Sequence, residues 1–191
     1  MKIKNLQSFY LLVETLEKLP SIGKKSAEKM AYTLCVENKY LGMQIAKNIQ
    51  KAVENVQRCS SCGGLSEEDE CQICQDSERS NGELCIVAHP RDIAIIENMG
   101  GFAGKYFVLE SLENIDFEVL IALILKENIQ EVIFSFSPSL ANDALMLFVE
   151  DRLSALGLSF SKIAQGIPTG IGLEHIDQLS LSRAFEGRIK L

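Results

Sequence analysis

The chain has 191 residues, of which 47% are hydrophobic and 24% are charged, and its formal net charge is -7. No stretch approaches the ~20 consecutive apolar residues of a membrane-spanning helix. The N-terminal Met1-Lys2-Ile3-Lys4 does not begin the apolar run of a secretory signal. The composition therefore predicts a soluble cytoplasmic protein with one ordinary domain or a few small modules packed together.

Three amphipathic helices are predicted within residues 1–58. Apolar side chains recur there at the i, i+3, i+4 and i+7 spacing of one helical face. The three faces are Leu6, Phe9, Tyr10, Val13 and Leu16, then Ala27, Met30, Ala31 and Leu34, then Ile45, Ile49, Ala52, Val53 and Val56. Between the first two helices we expect Pro20 to end one helix and Gly23 to permit the turn that begins the next.

The turn between those two helices is a candidate contact for a phosphate backbone. Its residues lead directly into a helix N-terminus, where free amides and the helix dipole favour an anion. Lys24, Lys25 and Lys29 add positive charge, and the last two lie one turn apart on one face. An ordinary helical hairpin with solvated lysines would show the same pattern, so the spacing leaves both interpretations open.

Charge is distributed unevenly along the chain. Residues 1–58 carry ten Lys/Arg and five Asp/Glu, whereas residues 59–191 carry nine and twenty-one. This asymmetry favours a basic head that can approach phosphates and an acidic body that cannot. Chance placement of charges on solvated helices would also produce it.

Four of the six cysteines have the spacing of a zinc site. Cys59 and Cys62 form one Cys-x-x-Cys pair, and Cys71 and Cys74 form a second pair after eight residues. Four thiolates complete a tetrahedral shell, so we predict one structural Zn²⁺ with no open position for catalysis. The alternatives are a redox pair or a disulfide cluster; a redox Cys-x-x-Cys usually begins a helix, which neither pair is predicted to do. We expect the two other cysteines, Cys35 and Cys85, to be buried as small hydrophobic residues.

After residue 83 the pattern changes to strands that alternate with helices. Short apolar runs without polar alternation are typical of strands buried on both faces of a parallel sheet. The predicted strands lie at 84–88, 106–109, 131–136 and 160–164, with helices near 90–98, 117–128 and 139–156. This order predicts a small α/β domain with right-handed crossovers.

Taken together, these blocks resemble the RecR family of bacterial recombination mediators over essentially the whole chain. Residues 19–31 resemble its helix-hairpin-helix, the four cysteines match its zinc module, and the strand–helix region resembles its Toprim domain. The most specific block is Gly166-Ile167-Pro168-Thr169-Gly170, followed by Leu173, Glu174, Asp177, Leu181, Ala184, Gly187 and Arg188. The fold class is accordingly α+β, with a helical hairpin, a four-cysteine zinc module, a mostly parallel four-stranded sheet and a C-terminal extension.

The resemblance implies a non-enzymatic role in the bacterial cytoplasm. Members of the family act with RecO, and often with RecF, to help load RecA onto single-stranded DNA that is coated by its binding protein. They form dimers and tetrameric rings that can encircle DNA. Lys25 and Lys29 match family positions implicated in DNA contact. The implied modules are residues 1–58, 59–82, 83–164 and 165–191.

Several positions depart from the family pattern. Ala88 stands where a glutamate is usual after the first strand, and Asp143 is the acidic residue that is kept after the third. The loop usual after the second strand is missing beyond Leu109, and Ser21 replaces the first hairpin glycine. Since Mg²⁺ needs several carboxylate oxygens, Asp92 and Asp143 make a poor site, and we expect no bound Mg²⁺.

Three hypotheses are therefore in competition. The first is a zinc-stapled assembly factor that binds DNA and RecO. The second is a Mg²⁺-dependent Toprim nuclease or topoisomerase-like enzyme, which Ala88 argues against. The third is a partner-docking scaffold with little DNA contact of its own, in which Lys25 and Lys29 would be dispensable.

Overall fold

The computed structural model describes residues 5–111, 116–164, 170 and 172–186. The chain forms two compact units, Met1–Val56 and Gln57–Leu191. The finer division into four modules stays a prediction. Within the described residues, no helix combines the length and the apolar character that a membrane span requires.

The N-terminal unit consists of the three predicted helices. They are α1 (Gln7–Leu16), α2 (Lys24–Tyr32) and α3 (Lys39–Asn55), and a π-helical turn at Thr33–Glu37 follows α2 directly. The core is small: Val13 of α1 and Ala27 and Ala31 of α2 are buried. Four partly buried side chains surround it, Phe9, Leu12, Leu16 and Ile22. The alanines let the two helices approach closely, which fixes the hairpin.

Two local predictions for this unit are wrong. Gly23 is not the residue that needs glycine, because its φ of -90° and ψ of 167° are extended angles that any residue can adopt. Ser21 has the left-handed backbone instead, with a φ of 64°. Cys35 is exposed rather than buried. The chain widens into the π-helical turn at this point, and the neighbouring Tyr32 and Val36 are also more than half exposed, so the turn lies outside the small core.

The C-terminal unit is built on a parallel sheet, as predicted. Its strands are β3 (Glu83–Val87), β4 (Lys105–Val108), β5 (Glu131–Ser135) and β6 (Ser159–Lys162), in the order β4-β3-β5-β6. Helices α5 (Pro90–Met99), α6 (Phe117–Lys126) and α7 (Leu140–Leu153) provide the connections. The predicted α+β fold is confirmed.

Both faces of the sheet are covered. One face carries the main core, in which Leu84 and Ile86 of β3 lie among side chains of the other strands and helices. The opposite face carries Cys85, Val87, Ile93 and Tyr106. Cys85 is buried as predicted, and burial raises the pKa of its thiol to about 12, so this cysteine stays protonated at neutral pH.

The remaining elements precede and follow the sheet. Strands β1 (Gln57–Arg58) and β2 (Leu65–Ser66) form an antiparallel hairpin, and the short helix α4 (Gln72–Gln75) follows it. At the C-terminus, α8 spans Gln178–Glu186. Of the predicted 166–170 loop, Gly170 is described, with a φ of 85°. Residues 165–169 and 187–191 lie outside the described residues, as do 112–115, where the shortened loop was predicted.

Candidate metal centre and nucleic-acid contact

The four predicted zinc ligands meet in one cluster. Cys59 and Cys62 lie in the turn between β1 and β2, where Gly63 adopts a positive φ of 72°. Cys71 immediately precedes α4 and Cys74 lies within it. The four sulfur atoms all lie within 4.8 Å of one another. Two short turns, separated in the sequence, thus bring four soft ligands together.

The distances in this cluster fit a tetrahedral zinc ion. A Zn–S bond of about 2.3 Å implies sulfur–sulfur distances of about 3.8 Å in a tetrahedron. The Sγ atoms of Cys59 and Cys74 are 3.8 Å apart, and those of Cys62 and Cys71 are 3.7 Å apart. Backbone amides of Gly64 and Cys71 donate hydrogen bonds to the sulfurs of Cys62 and Cys59, each at 3.3 Å. Such donors stabilise negative charge on thiolates.

The protonation of the four cysteines differs between the metal-free and the metal-bound cluster. Hydrogen bonds from Cys62 and Cys74 hold the pKa of the Cys71 thiol far below its usual value. Hydrogen bonding within the same cluster raises the pKa of Cys62 and of Cys74. Four thiolates this close repel one another, whereas a divalent cation at their centre lets all four ionise. With four sulfurs the shell is closed, so such an ion is structural.

One premise of the zinc prediction is wrong. Cys71 does begin a helix, contrary to the expectation that neither pair would. That helix has four residues, and the second cysteine pair lies beside the first, so the four-sulfur arrangement still distinguishes this site from a redox pair.

A buried lysine connects the zinc module (residues 59–82) to the sheet through hydrogen bonds. The sequence analysis did not predict this contact. Lys105, the first residue of β4, is 1% exposed. Its ammonium donates hydrogen bonds to the carbonyls of Ile73, Cys74 and Asp76, at 3.0, 2.9 and 2.7 Å. These carbonyls lie at the C-terminal end of α4, where a cation is favoured by the helix dipole. A lysine at the start of an apolar strand was the available signal.

Two further contacts connect the metal module to the sheet. The amide of Val108 donates to the carbonyl of Cys62 at 2.8 Å. Arg58 donates to the carboxylate of Glu110 at 2.9 Å, and this hydrogen bond holds the pKa of Glu110 below its usual value. The module is therefore packed on β4 within the C-terminal unit.

The residues that the sequence analysis weighed as Mg²⁺ ligands do not form a metal site among the described residues. Ala88 follows β3 with no carboxylate to offer. The Asp92 carboxylate accepts a hydrogen bond from the amide of His89 at 3.0 Å, which stabilises the start of α5. Asp143 lies in the first turn of α7. Across the described ranges, the cysteines are the one group of three or more side chains arranged to hold a metal.

The predicted DNA-contact lysines lie on α2. Lys24, Lys25 and Lys29 are all exposed. At 100° per residue, Lys25 and Lys29 lie opposite the buried Ala27 and therefore face away from the hairpin core. Gly23, the residue before α2, has no side chain to cap the first-turn amides. The start of α2 can accept an anion, since the first-turn amides, the helix dipole and the ammonium groups of Lys24 and Lys25 coincide there, whereas Lys29 lies in the last turn.

The turn that precedes α2 has a defined conformation. The amide of Ile22 donates to the carbonyl of Leu19 at 3.2 Å, which closes a four-residue turn. Pro20 occupies its second position and Ser21, with positive φ, its third. This is the pattern of a type II turn, whose third position favours glycine.

Comparisons with known proteins agree with the motifs. Residues 10–53 match the helix-hairpin-helix of RecR, residues 56–76 its four-cysteine zinc finger domain, and residues 166–189 its C-terminal region. A "Recombination protein RecR" from Helicobacter pylori (strain Shi470) is 53% identical over 186 residues, which cover 97% of this chain and 96% of that protein. The protein of the same description from Campylobacter jejuni (strain RM1221) is 46% identical over 189 residues, 99% and 100% of the two chains.

Proposed function

Because this chain belongs to the RecR family of recombination proteins, with its four-cysteine zinc finger, we propose that it is a non-enzymatic, DNA-binding mediator of recombination and repair in the bacterial cytoplasm. In this role it binds single- and double-stranded DNA without sequence preference. Together with RecO, and with RecF where present, it promotes loading of RecA onto DNA that is coated by the single-strand binding protein.

The observation that carries the proposal is an exposed basic face of α2, which runs from Lys25 in the first turn to Lys29 in the last turn. Lys25 and Lys29 share one solvent-facing side, and among the described residues neither side chain has a carboxylate partner. Lysines in this setting contact phosphates as point charges and read no base sequence. The basic balance of residues 1–58 adds attraction over a longer range.

Helix α3 supports a homo-oligomer, either a dimer or a tetrameric ring. This helix has no buried residue, although it carries one of the predicted apolar faces. Met43, Ile49 and Val53 are 73%, 59% and 78% exposed. Apolar surface of this extent is typical of a protein–protein contact, and a second copy of the chain would cover it.

The test is fluorescence-anisotropy binding of labelled single- and double-stranded DNA over a salt series, with and without purified RecO. We expect Lys25→Ala/Lys29→Ala to weaken binding and to reduce the slope of log K against log salt by about 1 for each lost phosphate contact. Lys47→Ala/Lys51→Ala is the matched control, because these lysines are also exposed and one turn apart, on α3. Equal losses in both variants would contradict a specific role for the hairpin.

The second candidate is a partner-docking scaffold with little DNA contact. The acidic balance of residues 59–191 favours it, because that part repels phosphates and attracts basic proteins. It predicts that Lys25→Ala/Lys29→Ala binds RecO and supports recombination as well as the unmodified chain. A Mg²⁺-dependent nuclease would instead require metal-dependent strand cleavage, for which Ala88 supplies no ligand.

A further inference from the structure

A cleft of about 570 Å³ lies within the C-terminal unit, between the zinc module and helix α5. Leu65 of β2 and Ile73 of α4 line it from the zinc module. Pro90 and Ile93 line it from α5, and Tyr106 from β4. Cys62 and Cys71 of the metal cluster also border the cleft, but four sulfurs close the metal shell, so the cleft offers the ion no further ligand position.

The cleft walls are held in place by the structure around them. Ile93 and Tyr106 are buried in one cluster, and Ile73 packs against it. A Cβ added to Gly64 would lie 3.1 Å from Cδ1 of Ile93, so the zinc hairpin approaches α5 as closely as glycine allows. Leu65, the next residue, is nevertheless 61% exposed. A preformed apolar wall with an exposed leucine gains free energy when a partner side chain covers it.

The charges around this cleft are unbalanced. Three of its charged side chains have a partner: Glu70 with Lys126, Glu97 with Arg79, and Arg91 with Asp92. Glu67 and Glu68 are exposed and form no ion pair with the described residues, and the Glu68 carboxylate accepts one hydrogen bond, from the side-chain amide of Gln75 at 3.2 Å. Their two carboxylates leave the rim with net negative charge. Such a rim repels nucleic-acid phosphates and attracts lysine and arginine.

We propose that this cleft docks a linear segment of a partner protein, in which apolar side chains are flanked by Lys or Arg. The volume accommodates a few side chains, which the apolar walls would bury. The carboxylates of Glu67 and Glu68 pair with the flanking basic groups and set the orientation. The cleft residues belong to the C-terminal unit and the α2 lysines to the N-terminal unit, so the two sets of side chains can be substituted independently.

The experiment selects random linear peptides displayed on phage against the zinc-loaded full chain. Selected peptides are then measured against Leu65→Asp/Glu67→Lys/Glu68→Lys. The matched control is Leu125→Asp/Glu118→Lys, because Leu125 is 62% exposed and Glu118 is exposed on α6, outside the cleft. We expect basic, apolar sequences that bind the control normally and lose at least about tenfold in affinity, about 1.4 kcal/mol, on the cleft variant.

Two further measurements decide the remaining outcomes. Glu67→Gln/Glu68→Gln keeps the apolar wall, so the same peptides should bind it more weakly and with less dependence on salt, even if the charge-reversed variant folds poorly. The proposal would be overturned if the selected peptides were acidic or neutral. It would also be overturned if they bound every variant equally. A change in oligomeric state of the cleft variants by analytical ultracentrifugation would overturn it too, because the occupant would then be a second copy of the chain.

Discussion

The two units of this protein differ in how their stability is built. In the N-terminal unit, the described core consists of Val13, Ala27 and Ala31. In the C-terminal unit, the core around Leu84 and Ile86 alone contains fourteen buried residues on one face of the sheet. The helices of the first unit carry many exposed apolar and basic side chains. In the second unit, β4 forms hydrogen bonds with the zinc module and holds it on the sheet. We therefore expect substitutions in the zinc module to change the stability of the C-terminal unit. Substitutions in the turn before α2 should change the stability of the helical hairpin.

The largest effect should come from the loss of zinc. Cys62→Ser removes one of the four zinc ligands. The effect should be large, because the binding free energy of structural zinc at such sites is about 10–16 kcal/mol. We expect loss of bound zinc and of hydrogen-exchange protection in residues 57–76, measured by metal analysis and mass spectrometry. Cys35→Ser is the control, because Cys35 is exposed and remote in sequence from the cluster. If metal-free Cys62→Ser kept full hydrogen-exchange protection in residues 57–76, zinc would not be what stabilises this region.

The next effect concerns the lysine that fastens the zinc module. Lys105→Met leaves three carbonyls without their donor and removes the cation 3.8 Å from the buried Glu127 carboxylate. We expect a loss of about 3 kcal/mol in the free energy of unfolding, measured with urea. Lys126→Met is the control, since its ion pair with Glu70 is exposed and should contribute less than about 1 kcal/mol. Equal losses in the free energy of unfolding for the two variants would mean that the hydrogen bonds of Lys105 do not stabilise the zinc module.

A smaller effect depends on pH and on Glu97. Burial alone would raise the pKa of this carboxyl, but hydrogen bonds from Arg79 and Tyr106 outweigh it and lower the pKa. A lowered pKa adds stability above the unfolded-state value of about 4.3, and the stability is lost as pH falls through the folded-state value. The difference in unfolding free energy between the unmodified chain and Glu97→Gln should therefore shrink as pH falls below about 4. Glu118→Gln, which removes an exposed carboxylate on α6, is the control variant.

The smallest effect tests the hairpin turn. Ser21 has a left-handed backbone, which costs a residue with a Cβ about 1 kcal/mol, so Ser21→Gly should stabilise the N-terminal unit by up to that amount. The matched substitution Ser26→Gly lies inside α2 and should destabilise it by about 0.5 kcal/mol. Thermal unfolding followed by circular dichroism distinguishes the two signs. Effects of the same sign would contradict strain at Ser21.

Local sequence patterns predicted the elements well. The apolar periodicity located α1, α2 and α3, and uninterrupted apolar runs located β3, β4 and β5 to within a residue or two. The fourth strand, predicted at 160–164 without such a run, is β6 at Ser159–Lys162. The spacing of the cysteines predicted the metal cluster, because two ligands with two residues between them in a tight turn point to one centre. Each of these signals is contained within a few residues, which is why a single sequence carries it.

The errors arose where neighbours distant in sequence decide. Cys35 follows an apolar pattern, but whether a helix face is covered depends on the helix that packs on it, and the π-helical turn lies outside the α1–α2 core. Gly23 was expected to permit the turn because of its residue type, whereas the path between the two packed helices places the positive φ at Ser21.

Short sequence patterns are thus sufficient to predict the zinc ligands, the strands and the basic helix. The reason is that coordination geometry and side-chain periodicity act over short distances along the chain. Tertiary structure alone decided the role of Lys105, whose partner Cys74 lies 31 positions earlier in the chain. It likewise created the cleft, because Leu65 and Ile93 meet only when the zinc module packs on the sheet beside α5. A buried ammonium or a cleft depends on the free energy of groups brought together by folding, and no local pattern records which groups those are.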